Sequence, residues 1–276
     1  MALLQVNFFS SALKRTVPMT VILPVDKVFG GEEETNEKPC FKTLYLLHGL
    51  LGNCTDWAMN TRILQWAEAK NLAVVMPSGD NSFYIDQDRP NNDYGAFIGK
   101  ELVEITRKMF PLSHKREDTF LGGLSMGGFG ALRNGLVYAE TFGYIAGLSS
   151  ALYFFEIPLD APGRSLMGED CVFGDMYKAS LTNKNPRIAL QQLKDRNGPL
   201  PKVYMACGLQ DRLLIPNRSF RDFLLEQGVQ LTYEETDGEH NWDFWNDQIQ
   251  KVLAWLPLDE AREGLNSGNV SAGKKA

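Results

Sequence analysis

The stretch at residues 118–131, Asp-Thr-Phe-Leu-Gly-Gly-Leu-Ser-Met-Gly-Gly-Phe-Gly-Ala, constrains this chain more than any other. An apolar run climbs into Gly-x-Ser-x-Gly and then passes into helix-forming residues, which predicts a strand, a sharp corner and a helix. Gly123 and Gly127 carry no Cβ, so the strand and the helix can approach while Ser125 takes a strained backbone geometry between them. A hydroxyl held there becomes a useful nucleophile only beside a base and facing backbone N–H donors. The N–H of Met126, at the head of the helix, is expected to be one such donor. A phosphate loop does not fit, because the glycines fall in no G-x-G-x-x-G register and no Gly-Lys-Ser/Thr follows.

The base must come from three histidines, His48, His114 and His240. His114 lies in a charged loop ahead of the serine's strand, and His48 ends an early strand, where it suits a hydrogen-bonded structural role beneath the following loop. His240 lies between the last strand and the last helix, where a ring can reach the carboxyl edge of the sheet. A histidine base needs a buried carboxylate to hold its tautomer. Asp211, after the strand at Val203, is the first choice; helix capping is its competing role, and Asp237 and Glu239 are weaker candidates. A second oxyanion donor is expected from the loop His48-Gly-Leu-Leu-Gly52, with Leu50 preferred and Gly49 as the alternative.

Strand and helix patterns alternate along most of the chain, which predicts an α/β fold: a mostly parallel sheet with helices on both faces, in one domain over residues 1–257. Residues around Val6 and Val17–Pro24 read as an antiparallel pair at a sheet edge, and Gly30 to Pro39 as a charged loop. A single helix is expected from Trp57 to Lys70 and another from Tyr94 to Phe110, the latter burying Phe97, Leu102, Ile105 and Met109. The alternation stalls over residues 151–185, read as a partial cap over the site, and residues 258–276 read as a disordered tail. Tyr84 and Phe154 follow central strands and are expected to meet near Ser125 with Trp57 opposite, lining the substrate site with rings suited to a flat acyl group.

A net charge of -6 without a basic cluster argues against a nucleic-acid partner. No apolar run is long enough to span a membrane, and no secretory leader is recognisable, so a cytoplasmic location is expected. Four cysteines without C-x-x-C spacing read as free thiols, and self-association is left open.

The segments 47–57 (LHGLLGNCTDW), 122–131 (GGLSMGGFGA), 208–211 (GLQD) and 238–242 (GEHNW) together resemble the esterase D family of α/β-hydrolases over about residues 5–256. That family includes tributyrin-type and feruloyl esterases, S-formylglutathione hydrolases and, more distantly, mycolyltransferases. The resemblance implies Ser125 as nucleophile, Asp211 and His240 as its partners, the Leu50 and Met126 amides as oxyanion hole, and no cofactor or metal. It implies a small ester as substrate, short-acyl or hydroxycinnamoyl, with S-formylglutathione hydrolysis or acyl transfer to a sugar or alcohol as alternatives. Leu47-His48-Gly49 departs from the Leu-Ser-Gly entry usual in S-formylglutathione hydrolases, which weighs against that thioester.

Overall fold

The computed structural model describes residues 1–27, 40–157 and 169–258. Its eight-stranded sheet runs in the order β1-β2-β4-β3-β5-β6-β7-β8. β1 (Ala2–Ser10) and β2 (Arg15–Leu23) form the antiparallel edge, and β2 joins β4 antiparallel. The remaining pairings, among β3 (Thr43–Leu47), β4 (Ala73–Pro77), β5 (Thr119–Leu124), β6 (Tyr144–Leu148), β7 (Lys202–Gly208) and β8 (Leu231–Thr236), are parallel. β3, β4 and β5 are buried at every residue, as parallel strands covered on both faces must be. β1 alternates between exposed and covered positions, as an edge with one face on the core should.

Helices cover both faces. α1 (Asp56–Asn60), α2 (Ile63–Ala69) and α11 (Trp242–Trp255) pack one apolar layer against the sheet. The other layer belongs to α3 (Tyr94–Ala96), α4 (Leu102–Met109), α5 (Met126–Val137), α9 (Pro186–Asp195) and α10 (Leu214–Glu226). Among the described residues, three short helices lie between β6 and α9: α6 (Tyr153–Glu156), α7 (Glu169–Phe173) and α8 (Met176–Ser180).

Two sequence expectations are corrected here. The helix expected from Trp57 to Lys70 is two, because Thr61 turns extended and its Oγ1 donates to the Trp57 carbonyl at 2.6 Å while accepting from the Ile63 N–H at 3.2 Å. One hydroxyl thereby ends the first helix and starts the second. Between α3 and α4 the chain makes a π turn over Phe97–Glu101, which shifts the apolar face by one residue. Leu102, Val103 and Thr106 are buried as a result, whereas Met109 is 42% exposed. The charged loop before Pro39 and the expected tail, apart from Leu258, lie outside the described residues, as does 158–168 of the expected cap.

Candidate active site

Ser125 stands between β5 and α5 with φ 53° and ψ −116°, a left-handed backbone that only a surrounding structure can hold in place. The constraint is visible in its glycines. A Cβ on Gly123 would come within 2.4 Å of the Gly127 carbonyl oxygen, and one on Gly127 within 2.4 Å of the Leu47 carbonyl oxygen. Strand and helix therefore meet backbone to backbone, and the serine is pushed out at the corner. Its own N–H donates to Leu148 O at 2.8 Å and its carbonyl accepts from Ala151 N–H at 3.0 Å, so the turn after β6 braces it.

His240 reaches this corner from the loop between β8 and α11. Its Nε2 lies 3.0 Å from Ser125 Oγ and its Nδ1 lies 2.8 Å from Asp211 Oδ2. The Asp211 side chain is fully covered, while that of His240 keeps 22% exposure toward the site. Burial alone would raise the Asp211 pKa, but hydrogen bonds from His240 and from the Leu213 N–H outweigh it and hold the carboxyl below its ordinary range. The loops bearing Asp211 and His240 touch directly, since a Cβ on Gly208 would fall 2.1 Å from the Gly238 carbonyl oxygen. The helix-capping role weighed for Asp211 is not what it plays: Leu213 is the N-cap of α10, without a side-chain cap, and Asp211 Oδ1 accepts from the Leu213 N–H at 2.8 Å in the turn ahead of the helix. One carboxylate thus holds its own loop with one oxygen and the histidine with the other.

The loop after β3 is fixed by His48. The Gly79 N–H donates to His48 Nε2 at 2.9 Å, which puts the ring proton on Nδ1, and Nδ1–H donates to the Gly49 carbonyl at 2.7 Å. Burial lowers the His48 pKa, which keeps the ring neutral and this tautomer in place. Every peptide bond here is trans, so a Gly49 carbonyl turned toward His48 turns the Leu50 N–H away from it. Met126 is the first residue of α5, and its N–H has no carbonyl four residues back within the helix to donate to. His114, by contrast, lies ahead of β5 and takes no part in the chain of hydrogen bonds from Ser125 to Asp211.

The three rings expected to line the substrate site are placed otherwise. Trp57 is 1% exposed; its Nε1–H donates to Leu47 O at 2.9 Å and its ring meets Trp242 edge-on. Tyr84 is fully buried, its hydroxyl donating to His48 O at 3.0 Å. Phe154 is 2% exposed within a cluster with Phe83 and Phe173, and Phe83 in turn packs on Phe129 of α5. None presents a face to a substrate. Each fills the interior beneath the site, because apolar rings close to a packed helix gain more from burial than from contact with water.

Sequence reasoning passed over Ser149, Asn217 and Trp245. Ser149 and Ser150 looked like a strand end, and only the folded chain sets Ser149 Oγ against Trp245 Nε1–H at 3.2 Å and the Ser150 backbone against Asn217. Asn217 accepts from Ser150 N–H at 3.2 Å and donates to Ser150 O and Leu213 O at 2.8 Å each, tying the turn after β6 to the loop after Asp211. Its position one helical turn after Leu213 was the available signal.

Among the described residues no cluster of His, Cys, Asp or Glu has the makings of a metal site, and no helix is long and apolar enough to cross a membrane. All four cysteines are free thiols.

The family model described as "Putative esterase" matches residues 10–256. An acetyl esterase of Caldicellulosiruptor saccharolyticus is 43% identical over 93% of this chain and 98% of its own. Among solved structures, the substrate-bound fluorophosphonate-binding serine hydrolase F of Staphylococcus aureus is similar, with 29% identity, a TM-score of 0.80 and coverage of 92% of this chain and 98% of that one. An S-formylglutathione hydrolase of the same organism gives 29% identity and a TM-score of 0.78 over 92% of this chain and 98% of its own.

Proposed function

Since the chain belongs to the esterase family and is a carboxylic ester hydrolase, we propose that it cleaves short-acyl esters, acetyl esters foremost, through an acyl-enzyme on Ser125. The observation that carries this reading is the unbroken hydrogen-bond chain from Ser125 Oγ through His240 to Asp211, at 3.0 and 2.8 Å. In the mechanism, Ser125 Oγ attacks the ester carbonyl carbon as His240 Nε2 takes the hydroxyl proton. Asp211 holds the Nδ1–H and stabilises the imidazolium without taking the proton itself. The carbonyl oxygen, now negative, is received by the N–H groups of Leu50 and Met126. Collapse expels the alcohol, which leaves with the proton from His240. Water then repeats the sequence on the acyl group, frees the acid and restores the serine.

The acyl assignment draws on two facts. The acetyl esterase matches nearly end to end, and the rings that would have favoured a flat hydroxycinnamoyl group are buried. Thioester hydrolysis is a second reading, favoured by the likeness to the staphylococcal S-formylglutathione hydrolase. A kcat/KM profile over p-nitrophenyl acetate, butyrate and octanoate, methyl ferulate and S-formylglutathione tests both. The acetyl and butyryl esters are expected to lead; a preference for methyl ferulate or octanoate refutes the short-acyl assignment, and a preference for S-formylglutathione replaces it with the thioester reading.

A further inference from the structure

The turn that carries the Leu50 N–H is closed in a conformation its own residues do not favour. Residues 49–52 read Gly-Leu-Leu-Gly, and the Gly52 N–H donates to the Gly49 carbonyl at 3.2 Å. Of the two central residues only Leu51 has a positive φ, 65°. That is the pattern of a type II turn, whose third position ordinarily goes to glycine or asparagine because a larger side chain there is strained. The relaxed alternative, a type I turn, keeps both central φ values negative and rotates the Leu50–Leu51 peptide by about 150°. A leucine left to itself would favour that alternative and disturb Leu50 with it.

A group outside the turn must therefore hold that peptide. The Leu51 N–H donates to Asn81 Oδ1 at 2.8 Å, and because a backbone N–H can only donate, the amide oxygen is its partner. Asn81 is presented by the segment after β4, which is braced from within: Ser82 Oγ donates to the Gly79 carbonyl at 2.6 Å and accepts from the Tyr84 N–H at 3.0 Å. Asp80, next to Asn81, is tied to Arg15 of β2 and to the Tyr94 hydroxyl of α3. The same segment grips the loop on both sides of Leu51, through the Gly79 N–H on His48 Nε2 and through Ser78 Oγ, which accepts from the Cys54 N–H at 3.1 Å.

We propose that Asn81 is a positioning residue for ester hydrolysis: its side-chain oxygen holds Leu51 in the left-handed region and so keeps the Leu50 N–H set to receive the oxyanion. The inference rests on the Ser125 acyl-enzyme reading, in which acylation and deacylation both pass through an oxyanion. Asn81 and Leu51 are exposed, so their bond adds little to the stability of the whole fold. A turn free to relax would still admit the ester but would stabilise the transition state less, and the loss would fall on turnover rather than on substrate binding.

The experiment measures kcat and KM on p-nitrophenyl acetate for Asn81→Ala, Leu51→Gly, the double variant and Ser125→Ala, with folding checked by circular dichroism. Asn81→Ala is expected to lower kcat about five- to thirtyfold, the scale of one hydrogen bond together with the backbone strain it offsets. KM should stay within about twofold, since binding is untouched. Glycine takes a positive φ without strain, so in the Leu51→Gly background Asn81→Ala should cost no more than about twofold. A residue that merely stabilised the surface would show no such rescue. Wild-type kcat in folded Asn81→Ala, or a loss of the same size in the leucine and glycine backgrounds, overturns the proposal. If Asn81→Ala does not fold, Asn81→Leu, which keeps the shape and lacks the acceptor, is read by the same two criteria. Ser125→Ala separates the two levels: if it is inactive while Asn81→Ala is normal, only this inference fails, and if it retains activity, the acyl-enzyme reading fails with it.

Discussion

The polar chain on the carboxyl edge of the sheet is held by directional bonds, and the phenylalanine cluster around α5 by packing alone. Ser125, His240 and Asp211 come from three separate loops and meet at hydrogen-bond distances. Phe83, Phe129, Phe154 and Phe173 meet at ring-centroid distances of 4.8 to 5.9 Å, with interplanar angles from 46° to 90°. The difference teaches where function and stability are kept apart: substitution in the first region should cost turnover with little change in stability, and substitution in the second should do the reverse.

The comparison would break most visibly at His240. His240→Ala is expected to lower kcat about a millionfold, as removal of a base from such a unit does, while the folded protein remains. Retention of even a hundredth of wild-type kcat would end the separation. Asp211→Asn should lower kcat about 10⁴-fold, because an amide can donate to the imidazole and favour the wrong tautomer. In the packed region, Phe154→Ala should cost about 3–5 kcal/mol in chemical denaturation, the range for emptying a buried ring. Its kcat on p-nitrophenyl acetate, measured where the variant is still folded, should stay close to wild type. A large kcat loss with unchanged stability would instead return Phe154 to the substrate site.

The smallest effect sharpens the comparison from the side of pH. Asp211's carboxyl is held below its ordinary range in the folded state, so its contribution to stability is present above the unfolded value of about 3.9 and is lost as pH falls through the folded value. Urea melts from pH 6 downward should therefore show wild type losing more stability than Asp211→Asn as the pH drops through and below the ordinary carboxylate range. Parallel curves would mean that the hydrogen bonds to Asp211 do not favour its charged form.

Much of the polar region was legible in the sequence, for a physical reason. A strand-to-helix corner that exposes a serine demands glycines at Gly123 and Gly127, and with three histidines in the chain the choice of base is narrow. The alternation of buried strands and amphipathic helices likewise announced the sheet. Trp57, Tyr84 and Phe154 were misread because a ring's type says nothing about which of its faces is covered. That depends on neighbours distant in sequence, such as Trp242 for Trp57 and Phe83 for Phe154. Ser149 was missed for the converse reason, since a serine at a strand end has no distinguishing pattern until Trp245 is folded against it. The break at Thr61 and the π turn after Ala96 escaped a periodicity argument because each is set by one side chain or one extra residue.

The central claim is that the acyl group passes through Ser125, and the direct measurement is intact-protein mass spectrometry of enzyme quenched on the millisecond scale after mixing with p-nitrophenyl acetate, followed by peptide mapping. The account predicts a single added acetyl group in the burst, on the peptide containing Ser125, and none on Ser125→Ala. Wild-type turnover by Ser125→Ala, or an acetyl group mapped reproducibly to another residue during the burst, would contradict it.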